Sequence, residues 1–145
     1  MYKFNLESLL NHRKYSEEIR QKELAESKRL LSDERKKLRD YKIEKEKYWT
    51  QLQQKQKKGN SVSEIRVYVD YIQRLSKDIE GQRQRVLAAK KKNDQMRMAL
   101  IEAMKKRKIL DKLKAQGIKE YRQMTQKKEQ DFMNEIAVNQ HNRKG

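Results

Sequence analysis

The chain has no cysteine, so it can form no disulfide and no thiolate metal site. It has no proline and only four glycines in 145 residues. Those are the two residues that interrupt helices, and their scarcity permits very long ones. It has no run of 18 apolar residues, so no stretch is long enough to span a bilayer as a helix. Its first residues, MYKFNLESLLNHRK, place charges and Asn inside any possible signal h-region, which excludes a secretory signal and makes a cytosolic protein the expectation. Only two histidines are present, His12 and His141, and no Gly-rich phosphate loop or metal-like cluster accompanies them. We therefore expect no catalytic residue, no metal ligand and no cofactor: the chain is not expected to be an enzyme.

Charge is what the sequence has in abundance. Charged residues make up 41% and apolar residues 34%, too few for an ordinary globular core. The charge is mixed in sign and the apolar residues are periodic, which points to a coiled coil rather than disorder. Lys and Arg outnumber Asp and Glu by 38 to 21, a net +17, so the partner is expected to be acidic: nucleic acid, a membrane face or an acidic protein surface.

Leu10, Leu24, Leu31, Leu38 and Leu52 fall on one seven-residue grid, with Glu17 and Lys45 in the gaps. Tyr41 and Tyr48 hold the companion position three residues on, and Arg13, Arg20, Ser27 and Glu34 dilute that row. Then KKGNS stops the pattern. Gly59 suits the left-handed conformation that ends a helix, and Ser61-Val62-Ser63-Glu64 is a capping box. The second stretch has the cleaner repeat. Ile65, Ile72, Ile79, Val86, Asn93 and Leu100 form one row, and Tyr68, Leu75, Gln82, Ala89, Met96 and Ala103 form the other. A sustained seven-residue period implies left-handed supercoiling, and Asn93 is the kind of polar insertion that fixes register. The expected fold is all-α: a long antiparallel two-helix coiled-coil hairpin whose second helix is the longer. The expected boundaries are one coiled-coil domain over 1–145, with a helix at about 5–57, a turn at 58–61, a helix at about 62–138 and a frayed tail at 139–145. Helix rise makes such a hairpin about 80 Å long. The second helix then overhangs the first from about Gly117, leaving Tyr121, Met124, Phe132 and Met133 without a partner within the chain.

Two clusters stand out. Tyr41, Tyr48, Trp49, Tyr68 and Tyr71 are half of the ten aromatic residues and all lie near the turn. Tyr41, Tyr48 and Tyr68 hold seam positions and fill the core. Trp49 and Tyr71 sit beside the seam, where aromatics with a polar handle act as interface anchors. At the open end, Leu6, Leu9, Leu10, Arg13, Leu110 and Leu113 meet, more apolar surface than a two-helix seam requires. The basic run AMKKRKILDKLK, 103–114, lies there too.

Phe4 to Glu18 has the pattern F-x-L-x-x-L-L-x-x-R-K-x-x-E-E. This, the A-M-K-K-R-K-I-L-D-K-L-K run and G-N-S-V-S-E-I-R-V-Y-V-D-Y-I-Q-R-L after the turn resemble the flagellar export protein family FliJ, in the family's order. The resemblance implies a cytoplasmic stalk, peripheral to the membrane at the flagellar base, in the type III export apparatus. It implies that the open end enters the hexameric export ATPase, that another part contacts the cytoplasmic linker of the export-gate membrane protein, and that export chaperones also bind. Carried onto this sequence, the ATPase-binding residues would be Phe4, Leu6, Leu9, Leu10, Arg13, Met104, Arg107, Leu110 and Leu113. The gate-binding residues would be Tyr48, Trp49, Tyr68, Tyr71 and Leu75, with Asp78 and Gln82 making the lower part of that face polar. Three other readings stay open: a nucleic-acid-binding coiled coil, a self-associating structural rod, and a stalk of a virulence-type secretion system. Lys and Arg alternate with acids and no basic-region block precedes a zipper, so specific nucleic-acid binding is not expected. The N-terminal motif favours the flagellar stalk over the virulence one.

Overall fold

The computed structural model describes residues 1–144, which form two α-helices and no strand. α1 spans Glu7–Lys57, 51 residues, and α2 spans Val62–Lys144, 83 residues. They pair antiparallel as a coiled-coil hairpin with the longer helix second, the architecture that the two seven-residue rows imply. The chain divides into two compact units. Ile19–Leu100 contains the turn, and Met1–Glu18 with Ile101–Gly145 contains the termini.

In the turn unit the stop and start signals are both built. Gly59 has φ +72°, the left-handed conformation that a side chain disfavours. Its N–H donates to the Gln56 carbonyl at 3.3 Å, and the Asn60 N–H donates to the Lys55 carbonyl at 3.3 Å. That pair of bonds is the Schellman motif, and it satisfies carbonyls that the helix end would leave bare. Ser61 Oγ then accepts from the Glu64 N–H at 3.3 Å, capping α2. The other half of the expected capping box differs: the Glu64 carboxylate lies 3.9 Å from Lys55 Nζ, drawn to the neighbouring cation instead of reaching back. The seam buries Leu24, Leu31 and Leu52 from α1 and Ile72, Leu75 and Ile79 from α2. Each buried side chain of this size contributes about 1.5–3 kcal/mol. Leu38 and Val86, on the same rows, are only half-buried, because in a two-helix seam each residue has a single facing helix to cover it.

Polar layers interrupt that seam. Ser27 and Asn93 are both buried; Ser27 Oγ donates to the Leu24 carbonyl at 2.9 Å and reaches Asn93 Oδ1 at 3.1 Å. Buried Gln82 donates from Nε2 to the Glu34 carbonyl at 2.9 Å and also to the Glu34 carboxylate. Gln82 thus belongs to the seam and not to a polar outer face.

The terminal unit buries Leu10, Ala103 and Leu110, and Leu10 is wholly sealed from solvent at 0% exposure. Buried Glu17 pairs with Arg107, whose other arm donates to Asp111 at 2.6 Å. Glu7 and Lys114 pair at 2.9 Å. α2 runs to Lys144, past Val138 where the apolar pattern ends, and residues 126–144 are all exposed. No proline stops it, and His141, Arg143 and Lys144 offset the negative end of the helix dipole. Of the tail expected at 139–145, residue 145 lies outside the described residues.

Candidate functional site

The aromatic cluster near the turn is assembled by the antiparallel register. The Tyr48 ring lies 4.5 Å from that of Tyr71 and 5.9 Å from that of Tyr68, both tilted. Lys55 Nζ stands 4.8 Å over the Tyr68 ring, a cation–π contact. The Tyr71 hydroxyl donates to Glu44 Oε1 at 2.6 Å. Because that bond favours the neutral phenol, it pushes the Tyr71 pKa up to about 12, with burial and the Glu44 charge adding to the effect.

Of the residues expected at this surface, only Trp49 stands free, 51% exposed. Tyr48, Tyr68 and Tyr71 are half-buried and engaged with one another. Tyr71 is therefore not the free anchor expected beside the seam, since the Glu44 bond and the Tyr48 ring turn it inward. Leu75 is a core residue at 3% exposure. Val67, one of the apolar residues that crowd the turn in the sequence, is exposed on this unit, and so is Ile43, which was not singled out by sequence. Apolar residues off both seam rows were the available signal.

In the terminal unit the nine expected residues separate by burial. Leu10 and Leu110 are buried and set the frame. Leu6, Leu9 and Leu113 are exposed at 41%, 37% and 50%. Phe4, Arg13, Met104 and Arg107 are half-buried, with Arg107 committed to Glu17 and Asp111. These ion pairs raise the Arg107 pKa above the usual guanidinium value, the Glu17 hydrogen bond first.

One element here escaped sequence reasoning. Residues 1–6 precede α1 as a strap over α2. The Tyr2 ring packs 5.6 Å from that of Tyr121 and sits on Gly117, where a Cβ would collide with the Tyr2 hydroxyl. Tyr121 accordingly has a partner within the chain, contrary to its expected place on an unpartnered overhang. Met124, Phe132 and Met133 remain exposed. The signal was Gly117 itself, since a glycine inside a helical pattern often marks close approach of another group. The strap, Glu7 and Lys114, and Ile118, Tyr121 and Arg122 of α2 line a shallow groove.

Both surfaces are built of apolar and aromatic side chains flanked by ion pairs. Among the described residues no cluster of three or more His, Asp or Glu is placed to hold a metal ion. None of the described helices is long and apolar enough to cross a membrane.

The family profile described as "Flagellar FliJ protein" matches residues 2–145. Among solved structures, that of a proposed YscO homologue from Chlamydia trachomatis aligns over 100% of both chains at 23% identity, with a TM-score of 0.49. No curated protein shows significant similarity to the chain. The profile spans both helices, the turn and the strap, and the chain belongs to the FliJ family of flagellar proteins.

Proposed function

We propose that this chain is the non-enzymatic stalk of the flagellar type III export apparatus, a single coiled-coil domain working at the cytoplasmic face of the membrane. Its terminal unit enters the hexameric export ATPase and promotes the assembly and activity of the ring. Its turn unit meets the cytoplasmic linker of the export-gate membrane protein, and export chaperones bind it as well. It recognises no specific nucleic acid.

The observation that carries this reading is the bare apolar surface around a sealed frame in the terminal unit. Leu10 and Leu110 are buried, while Leu6, Leu9 and Leu113 remain exposed. A hairpin that served only as a spacer would gain nothing from exposed leucines beside its seam, and clustered exposed apolar groups mark interaction surfaces. In this reading the three exposed leucines touch the ATPase. Phe4, Arg13 and Met104 flank them, and the Arg107 ion pairs hold α2 in place. At the turn, Trp49 makes the central gate contact, and the Tyr48, Tyr68 and Tyr71 cluster stiffens the helices beneath it. Trp is the residue type most often found at binding hot spots.

Two charge insertions test the division of labour. Leu9→Asp should weaken ATPase binding by at least about 10-fold and leave gate binding intact; Trp49→Asp should do the reverse. Equal loss of both partners in either variant would count against two separate surfaces.

A further inference from the structure

We propose that a basic groove on the flank of the turn unit binds an acidic helical segment of a partner protein. Lys28, Arg35 and Arg39 of α1 and Arg97 of α2 line it. Among the described residues none of the four has a carboxylate within ion-pairing distance: the ion pairs of this unit involve Arg20, Arg29, Lys37, Lys55 and Arg83 instead. The nearby acids are spoken for. Asp33 holds Arg29 at 3.0 Å, and the Glu34 carboxylate accepts from Gln82 and lies 3.9 Å from Lys37. Asp40 and Asp94 do not line the groove.

The arrangement opposes hairpin stability. Lys28 and Arg35 each follow a seam residue of α1, Ser27 and Glu34, and Arg97 follows Met96 of the α2 seam in the same way. These flanking positions face each other across an antiparallel pair, and coiled coils ordinarily place opposite charges there. Here the same sign stands on both sides, which is destabilising. A local rule broken without compensation inside the fold points to a role outside it.

A second observation sits in the floor. Asn93 lines the groove at 5% exposure and has its Oδ1 held by Ser27. Its Nδ2 has no hydrogen-bond partner among the described residues. No sealed side-chain nitrogen or oxygen among the described residues is left unsatisfied, so this donor keeps some access to solvent on a residue that lines the groove. One amide donor beneath three guanidinium forks and an ammonium is a carboxylate-binding set.

The shape selects a helix among acidic partners. Lys28 to Arg39 spans about 16 Å along α1, three turns, the reach of carboxylates at i, i+4, i+7 and i+11 on a docked helix. Leu31, buried in the seam, adds only a small apolar floor to the groove. The concave, two-walled form admits a helix but not a flat bilayer surface. The groove residues are distinct from the ATPase and gate residues named above, although Trp49 lies further along the same flank of α1, and the test needs neither the ATPase nor the gate protein.

The test is fluorescence anisotropy of a labelled 20-residue helical peptide with glutamates along one face, at about 150 mM salt, where charges more than ~8 Å apart are screened. The comparison pairs Arg35→Glu/Arg97→Glu with Lys127→Glu/Lys128→Glu, which makes the same charge change on exposed α2 residues away from the groove. The groove variant should bind at least about 10-fold more weakly and the control should change less than about 2-fold. The Arg35→Glu single variant should also raise Tm while losing affinity, because it relieves the like-charge flank. If the double reversal disturbs folding, the neutral Arg39→Gln variant carries the same comparison. No binding by the native chain, equal loss in both double variants, or preference for duplex DNA or phosphatidylserine vesicles over the peptide would each overturn the proposal.

Discussion

Replacing Asn93 by leucine should make the hairpin more stable and less well defined. Asn93 is buried beside Ser27, and among the described residues the 3.1 Å contact between them is the only hydrogen bond that its side chain makes across the seam. Leucine in its place loses that bond, worth about 0.5–1.5 kcal/mol net. It gains burial of an apolar side chain, worth about 1.5–3 kcal/mol. Ser27 is not orphaned, because its single hydroxyl proton, released by Asn93 Oδ1, has the Leu24 carbonyl within reach at 2.9 Å. The balance favours the variant by about 1–2 kcal/mol, or roughly 2–8 °C in Tm for a chain of this size. What is lost is discrimination: a polar seam pair penalises every register in which it is not matched. Thermal unfolding followed by circular dichroism measures the first effect. Sedimentation velocity and amide exchange of the 86–100 segment measure the second. Destabilisation of Asn93→Leu by more than about 1 kcal/mol would refute the energetic argument, and stabilisation with one unchanged species would refute the register argument.

Three further outcomes follow from particular contacts. The phenol of Tyr71 should titrate near 12, and Glu44→Gln should return it toward the ordinary tyrosine value, read from absorbance at 295 nm in a Tyr71→Phe difference experiment. Since folding raises this pKa, the contribution of Tyr71 to stability is complete below about pH 10 and fades as pH rises through about 12. Gly117→Ala should displace the Tyr2 ring while improving the local helix by about 1 kcal/mol, so the ring-current shift at residue 117 should vanish without loss of helicity. Leu10→Ala should cost about 2–5 kcal/mol in thermal or urea unfolding, as expected for a fully sealed leucine.

The long-range plan of the fold was legible because a seven-residue apolar period has one physical solution. Leu10, Leu24, Leu31 and Leu52 are buried against Ile72, Leu75, Ile79 and Leu110 as that period demands. The turn was legible because Gly59 and Ser61 each solve a local problem of unsatisfied backbone groups. The candidate surfaces were read less well. Leu75 and Tyr71 could be placed near the turn, but whether they face inward depends on a few ångströms of cross-helix register. A single bond, Tyr71 to Glu44, decides it. The strap was invisible for a different reason. Residues 1–6 follow no period, and their position is set by the space that Gly117 leaves on α2. The basic groove arises from residues far apart in sequence, and composition reported its charge without its location.

The central claim is that the terminal unit acts on the export ATPase through its exposed leucines. The most direct measurement is the ATP hydrolysis rate of the cognate flagellar export ATPase, titrated with this chain at moderate salt. Leu9→Asp/Leu113→Asp is the comparison, because both residues are exposed and the buried pair Leu10 and Leu110 stays intact. The account predicts stimulation that saturates near one chain per six ATPase subunits and is lost in the variant. An unchanged hydrolysis rate, or equal stimulation by the variant, would contradict it.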